Sequence, residues 1–382
     1  MIPMRIAIAP LRLAQRALVS LNRRSIRSCN VSTPRFRTTT TVASISGSGA
    51  STAPDVYSLS PKTYDIAFSF RDFDAEAAFI VEAHAKLSSP TSSSSSSLCS
   101  FLEVGCGPAR HALLLAESGI TKRCVGVDLS PEMVEYAEER AKELGLQSRT
   151  QFLVADMTQV QGFKDAVIEN NELFDAAAIM LGTFSHCLDN DRAIATLKNV
   201  AECVRPGGIL LIELGNPRDI YQGAFCMDGF LNVWEIGESG DVDFAEDFGE
   251  ENSNERGDTG TDGYDNEYDA DEGDGEDEND EMRDVEEMRV MVEYGREGDH
   301  FDVERGILSR TTGFSLFDVE GELVSSSVSV VDQRQFTLQE LDLLARLSGW
   351  RLLSEGVYGD FDFDVSLGDD AADRMIVVLR RE

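Results

Sequence analysis

The first 54 residues hold no aspartate, no glutamate and no lysine; the first carboxylate is Asp55. Nowhere does an uninterrupted apolar run reach the roughly 18 residues that a membrane-spanning helix needs, so no membrane span is expected. Histidine is scarce, four in 382 residues, and its positions are scattered. The seven cysteines contain no Cys-x-x-Cys pair and are odd in number, which argues against a zinc site and against a disulfide framework. Reduced thiols and no metal centre are therefore expected.

What the first 54 residues do contain is eight arginines. Arg5, Arg12, Arg16, Arg23, Arg24 and Arg27 alternate with Ile, Leu, Ala and Val, and hydroxyl residues such as Thr38 to Thr41 crowd the later part. An Arg-rich, Ser-rich, acid-free start is the pattern of an organelle transit peptide, read here over 1–54; a disordered basic tail is the alternative. The early arginines point to a mitochondrion, the hydroxyl-rich tail to a plastid.

Acid is concentrated elsewhere. Residues 238–287 carry 24 carboxylates against Arg256 and Arg283, well over half of the chain's net charge of −35. Such a segment repels itself and has little to bury, so a disordered loop is expected. It reads as a solvated insertion or as a docking site for a basic protein partner. Nucleic acid is not expected as a partner, since phosphates would be repelled.

Between these extremes the pattern becomes regular. Tyr64 to Leu87 reads as helical, and a serine run follows at 88–97. Apolar strands are expected at Phe101–Val104, Cys124–Val127, Gln151–Val154, Phe174–Met180 and Ile209–Leu214. Helices alternate with them, one opened by Ser130-Pro131, a good N-cap followed by proline at the first helical position. Strands without polar alternation imply helices on both sheet faces, hence a parallel, Rossmann-like α/β core over 100–216 preceded by N-terminal helices at 55–99. After Asn216, β segments at Val233–Ile236, Met288–Tyr294, Leu308–Phe314 and Val324–Val330 suggest a small antiparallel cover, 217–336, with the acidic run as a hairpin loop. A helix capped by Thr337 and two strands, Trp350–Val357 and Arg374–Leu379, return to the core as 337–382.

The chemistry concentrates at Glu103-Val104-Gly105-Cys106-Gly107-Pro108-Ala109-Arg110. A glycine turn between strand and helix lets a ligand approach the backbone, because no Cβ intervenes. Asp128 ends the next strand, where a carboxylate can accept bonds from both hydroxyls of a ribose. Both features serve dinucleotides as well, but a dinucleotide fingerprint wants a third glycine where Arg110 stands, so a nicotinamide oxidoreductase is disfavoured. Asp156-Met157 follows the third strand, and Arg205-Pro206-Gly207-Gly208 turns into the fifth.

Glu103-x-Gly105-x-Gly107, Val125 to Ser130, Ala155-Asp156-Met157, Phe174-Asp175 and Arg205 to Gly208 together resemble the ordered motifs of class I S-adenosylmethionine-dependent methyltransferases. Tyr64-Asp65, the cover strands and Tyr358-Gly359-Asp360 resemble the small-molecule branch. One departure is Ala109 where a third glycine is usual. The resemblance implies S-adenosylmethionine as cofactor and a small-molecule methyl acceptor. It places Gly105 and Gly107 under the methionine part and Glu103 at its amino end. Asp128, with Leu129 beside it, would hold the ribose, Asp156 and Met157 would frame the adenine, and Tyr64 and Arg71 would close over the site. His186 and Glu213, at the ends of strands four and five, are the candidate general bases. A non-catalytic interaction protein using the acidic loop is the competing expectation.

Overall fold

Apolar strands need cover on both faces, and the chain supplies it. The computed structural model describes residues 60–89, 97–159, 162–168, 172–218, 232–237, 242–244, 287–296 and 298–382. The expected presequence, most of the serine run and most of the acidic segment lie outside the described residues.

Two helices, α1 (Pro61–Ala67) and α2 (Phe73–Leu87), precede the first strand. The single helix expected over Tyr64 to Leu87 is broken at 68–72, where the Asp72 side chain accepts a bond from Ala75 N–H and caps α2. Then β1 (Ser100–Val104), α3 (Arg110–Glu117), β2 (Arg123–Asp128), α4 (Pro131–Glu143), β3 (Thr150–Val154), α5 (Phe163–Val167), β4 (Phe174–Ile179), α6 (Asn190–Cys203) and β5 (Val204–Gly215) alternate as the sequence implies. A 3-10 turn, Thr183–His186, follows β4.

The main sheet has the order β12-β13-β5-β4-β1-β2-β3, with β12 (Trp350–Tyr358) and β13 (Arg374–Arg381) joined antiparallel and the rest parallel. Side chains sort by parity. Leu102, Val104, Val125 and Val127 face α5, α6 and α7 (Leu338–Arg346), whereas Phe101, Cys124, Ala176 and Ala178 face α2, α3 and α4. Glu103 shares the second face with Phe101, so an acid is carried into the layer between sheet and helices. The Arg205–Gly208 turn is a bulge inside β5: Phe174 pairs with Val204, then Ala176 with Ile209.

The expected cover is a second, antiparallel sheet ordered β11-β10-β8-β6-β7: β6 (Asn232–Gly237), β7 (Val242–Phe244), β8 (Arg289–Tyr294), β10 (Ile307–Phe317) and β11 (Leu323–Arg334). Two short strands, β7 and β9 (His300–Asp302, paired with β10), were not legible. Ile236, Val290, Val292, Phe314 and Leu316 of this sheet pack on Ile66 and Ala67 of α1. That packing holds the cover above the carboxyl ends of the core strands. Among the described residues no helix is long and apolar enough to cross a membrane.

Candidate active site

At the carboxyl end of β1 the chain turns sharply through Gly105 (φ +65°) and Gly107 (φ +49°) before entering α3. A Cβ on Gly105 would sit 2.3 Å from Thr183 Cγ2, so only glycine fits there. The turn floors a cleft of about 410 Å³, part of it open to solvent. Tyr64, Asp65, Phe68 and Phe73 roof it, and Met180, Leu181 and Thr183 close the side toward β4.

Asp128 ends β2 beside this floor. Its Oδ2 accepts Gly107 N–H at 2.8 Å and its Oδ1 accepts Ser130 N–H at 2.9 Å. Burial lifts its carboxyl above the ordinary value, against the pull of those amides. Leu129 projects next to it, 69% exposed. Asp156 lies past the tip of β3, next to Ala155, whose N–H donates to Asp128 C=O. Asp156 Oδ1 accepts the Thr158 amide and hydroxyl at 2.8 and 2.7 Å, while Met157 C=O accepts Asn199 Nδ2 at 2.8 Å. Both acids stand at the ends of neighbouring strands, and none of Asp128, Leu129, Asp156 and Met157 is among the residues lining the enclosed cleft. Tyr64 does line it; burial first, then the charge of Asp128, raises its phenol above the ordinary range.

Glu103 has a different task from the one its position implies. It is buried, with Oε1 2.8 Å from His111 Nδ1 and Oε2 accepting Ala112 N–H at 3.0 Å. The N-cap of α3, Ala109, sits in the left-handed region (φ 58°) and offers no capping side chain. Glu103 therefore supplies that cap from the neighbouring strand. Both oxygens are already engaged, so a ligand amine would share this carboxylate.

Arg71 and Glu213 are also reassigned. Arg71 Nη1 and Nη2 donate to the two oxygens of Glu213 at 2.9 and 3.0 Å, and Nη2 also contacts Glu76 at 2.8 Å. Leu181 N–H donates to Glu213 Oε2, and Arg374 of β13 lies 3.6 Å from Oε1. Burial alone would raise the Glu213 carboxyl, but Arg71 and then Arg374 hold it at about 2. A carboxylate so stabilised is a poor proton acceptor, which removes it as a general base. Arg71 ties the roof to β5. His186 ends the 3-10 turn after β4, half-buried, and is not among the residues lining the cleft.

Sequence reasoning missed Asp65 and Glu76. Asp65 gathers Arg110 Nε, Tyr136 Oη at 2.9 Å and Arg140 at 4.0 Å. Arg110, read only as an obstacle to dinucleotides, thus clamps the roof to the floor. Glu76 accepts from Arg71 and faces His111 Nε2 at 2.8 Å. Its signal was present: it falls at the helical spacing of Phe73, Ala77 and Ile80, an acid on a buried stripe. Asp175 and Arg205, motif residues in the sequence, bond to each other at 2.8 Å near the amino end of β4, away from the cleft.

Residues 101–208 match the family described as a methyltransferase domain. That match covers less than a third of the chain. Glycine N-methyltransferase of Mus musculus is 31% identical over 121 residues, 30% of this chain and 40% of that protein. A putative methyltransferase, YqeM, of Bacillus subtilis is 29% identical over 113 residues, 30% of this chain and 41% of that protein. The chain spans about two fifths of these curated relatives. Among solved structures, Streptomyces venezuelae DesVI aligns with a TM-score of 0.53 at 15% identity, over 84% of this chain and 98% of that one. An S-adenosylmethionine-dependent methyltransferase from Clostridium acetobutylicum aligns at 0.52 and 14%, over 84% and 96%. These likenesses establish the fold.

The sequence motifs imply S-adenosylmethionine as cofactor, and the residues present suit it. The space over Gly105 and Gly107 is one that side chains would narrow: a Cβ on Gly107 would come 3.9 Å from Tyr64 Cε1. Asp128 ends β2, and Asp156 follows the last residue of the adjacent β3, Val154.

Proposed function

We propose that the chain is a methyltransferase that transfers the methyl group of S-adenosylmethionine to a small-molecule acceptor. The observation that carries the reading is the glycine turn clasped by Asp128 under a roof bearing Tyr64. When bound, the cofactor supplies a methyl carbon on a sulfonium, electrophilic enough for direct displacement. The chain's own part is to orient and to exclude water. Asp128 offers its remaining lone pairs to ribose hydroxyls, Asp156 and Met157 border the adenine, and Leu129 adds apolar surface at the rim. Phe68 and Phe73 keep the roof dry.

Among the described residues lining the cleft, Asp65, Glu103 and His111 are all bonded within the protein. With no ready base, the reading favours an acceptor that attacks as a neutral nucleophile, such as an amine nitrogen, and gives up its proton afterwards. The N-methyltransferase among the relatives is consistent with that class. His186 remains the candidate for later proton removal.

Titration calorimetry with S-adenosylmethionine and its demethylated product tests the assignment. Binding is expected, and Asp128→Ala is expected to abolish it; no heat with either ligand in the wild-type protein would refute the reading. Methyl-transfer screening against pooled metabolites with primary or secondary amines then identifies the acceptor. The acidic composition of 238–287 supports the competing view of an interaction protein. Deleting 245–286, which leaves β7 in place, decides: lost partner capture with unchanged turnover would favour that view.

A further inference from the structure

Beneath the cleft floor lies a buried set of charges that cofactor contacts do not explain. His111, 1% exposed, occupies the first turn of α3. Its Nδ1 is 2.8 Å from Glu103 Oε1 and its Nε2 is 2.8 Å from Glu76 Oε2. Two carboxylates on opposite sides of one ring require both ring nitrogens to donate, so the geometry calls for imidazolium. Phe73 meets the ring at 5.2 Å, edge to face. Outside this core, Arg71 lies 2.8 Å and Arg374 3.5 Å from Glu76 Oε1, and both also contact Glu213. Glu76, Glu103 and Glu213 face Arg71, His111 and Arg374, and Asp360 adds a fourth acid 3.5 Å from Arg374, so loss of the His111 proton would deepen an excess of negative charge. Burial alone would discharge the ring, but Glu103 and then Glu76 raise it to about 9.

The ring joins three elements that shape the cleft. Glu103 belongs to β1, just before the glycine turn, and caps α3 through Ala112 N–H. Glu76 belongs to α2, which connects through Arg71 to the roof. Glu103 and His111 line the cleft, whereas Glu76 does not. We propose that His111 is a positioning residue for cofactor binding: held between Glu103 and Glu76, it sets the Glu103 carboxylate and the glycine turn in the conformation that accepts the nucleoside. This rests on the methyltransferase reading above. Removing the ring, or its charge, leaves the buried Glu103 with the Ala112 amide but no counter-charge, free to swing into the cleft.

The test uses the full chain, S-adenosylhomocysteine as the probe, and calorimetry from pH 6 to 10 beside a melting curve for each variant. The probe's own amine titrates equally in every case, so differences between variants are read. His111→Gln is expected to weaken binding about tenfold at pH 7, a loss of about 1.4 kcal/mol, and to remove the protein's share of the alkaline fall in affinity. Glu76→Gln, outside the cleft, is expected to move that fall to lower pH by a unit or more. Should His111→Gln not fold, Glu76→Gln alone decides. Variants that melt earlier yet keep the wild-type affinity and pH profile would overturn the proposal and leave His111 a packing residue. Wild-type protein that binds no probe at any pH would instead overturn the methyltransferase reading, and the proposal with it.

Discussion

A side chain at Gly105 would collide with Thr183 and would have to hold φ near +65°. Gly105→Ala is therefore expected to cost roughly 2–5 kcal/mol, from left-handed strain plus overpacking, and to abolish cofactor binding in whatever fraction remains folded. Denaturant melts and calorimetry measure the two effects separately. Titration of the buried ion set makes a second expectation. His111, raised to about 9, contributes stability that is complete below its unfolded value near 6.5 and is lost as pH rises through 9. Glu213, held at about 2, contributes stability that is present above about 4.5 and is lost as pH falls through 2. Melting temperature should thus be flat between pH 4.5 and 6.5 and decline on both sides, with an alkaline loss on the order of 3 kcal/mol. A melting temperature still constant at pH 10 would contradict the charged ring. At this scale the sequence was legible where backbone dictates residue type: the glycine turn and the acid ending β2 stand where they were read. Glu103 and Glu213 were read by position alone; the partners of Glu213, Arg71 and Arg374, lie far off in sequence, while those of Glu103, His111 and Ala112, sit on the very next helix but face it only once that helix packs on the sheet.

Elements were legible where their ends carry local chemistry. Ser130 accepts Met133 N–H at 3.2 Å, and Pro131 opens α4, so that helix begins where the sequence placed it. Ser130→Ala should cost about 1 kcal/mol, seen as a fall in melting temperature of about 2–4 °C. Thr337 likewise accepts Glu340 N–H, but the Glu340 side chain turns to Arg334 instead of back to Thr337, so only half of the expected capping box forms. The break between α1 and α2 was missed for a related reason. Phe68, Phe70 and Phe73 continue an apolar helical pattern in sequence, yet the chain uses them around a turn that brings Arg71 inward to Glu213. Side-chain pairing across 142 residues overrode local periodicity.

For the molecule as a whole, the parallel core and the antiparallel cover followed from strand character: continuous apolar runs need two covered faces, while β segments without helices between them must pair with their neighbours. The antiparallel insertion of β13 beside β5 obeys no such rule. Charge is the other molecular-scale feature. Residues 245–286 fall between β7 and β8, so their removal leaves every strand of the cover. Deleting them should leave cofactor affinity unchanged, measured by the same calorimetry; a lost affinity would mean the segment contributes to the cleft.

Because β13 lies between β5 and β12 in the sheet, the interior of the core is finished by a strand made long after β5. Until residues 374–381 have left the ribosome, β5 offers an open apolar margin and Glu213 lacks one of its two counter-ions. A nascent chain stalled before Arg374 would be a natural client for chaperones.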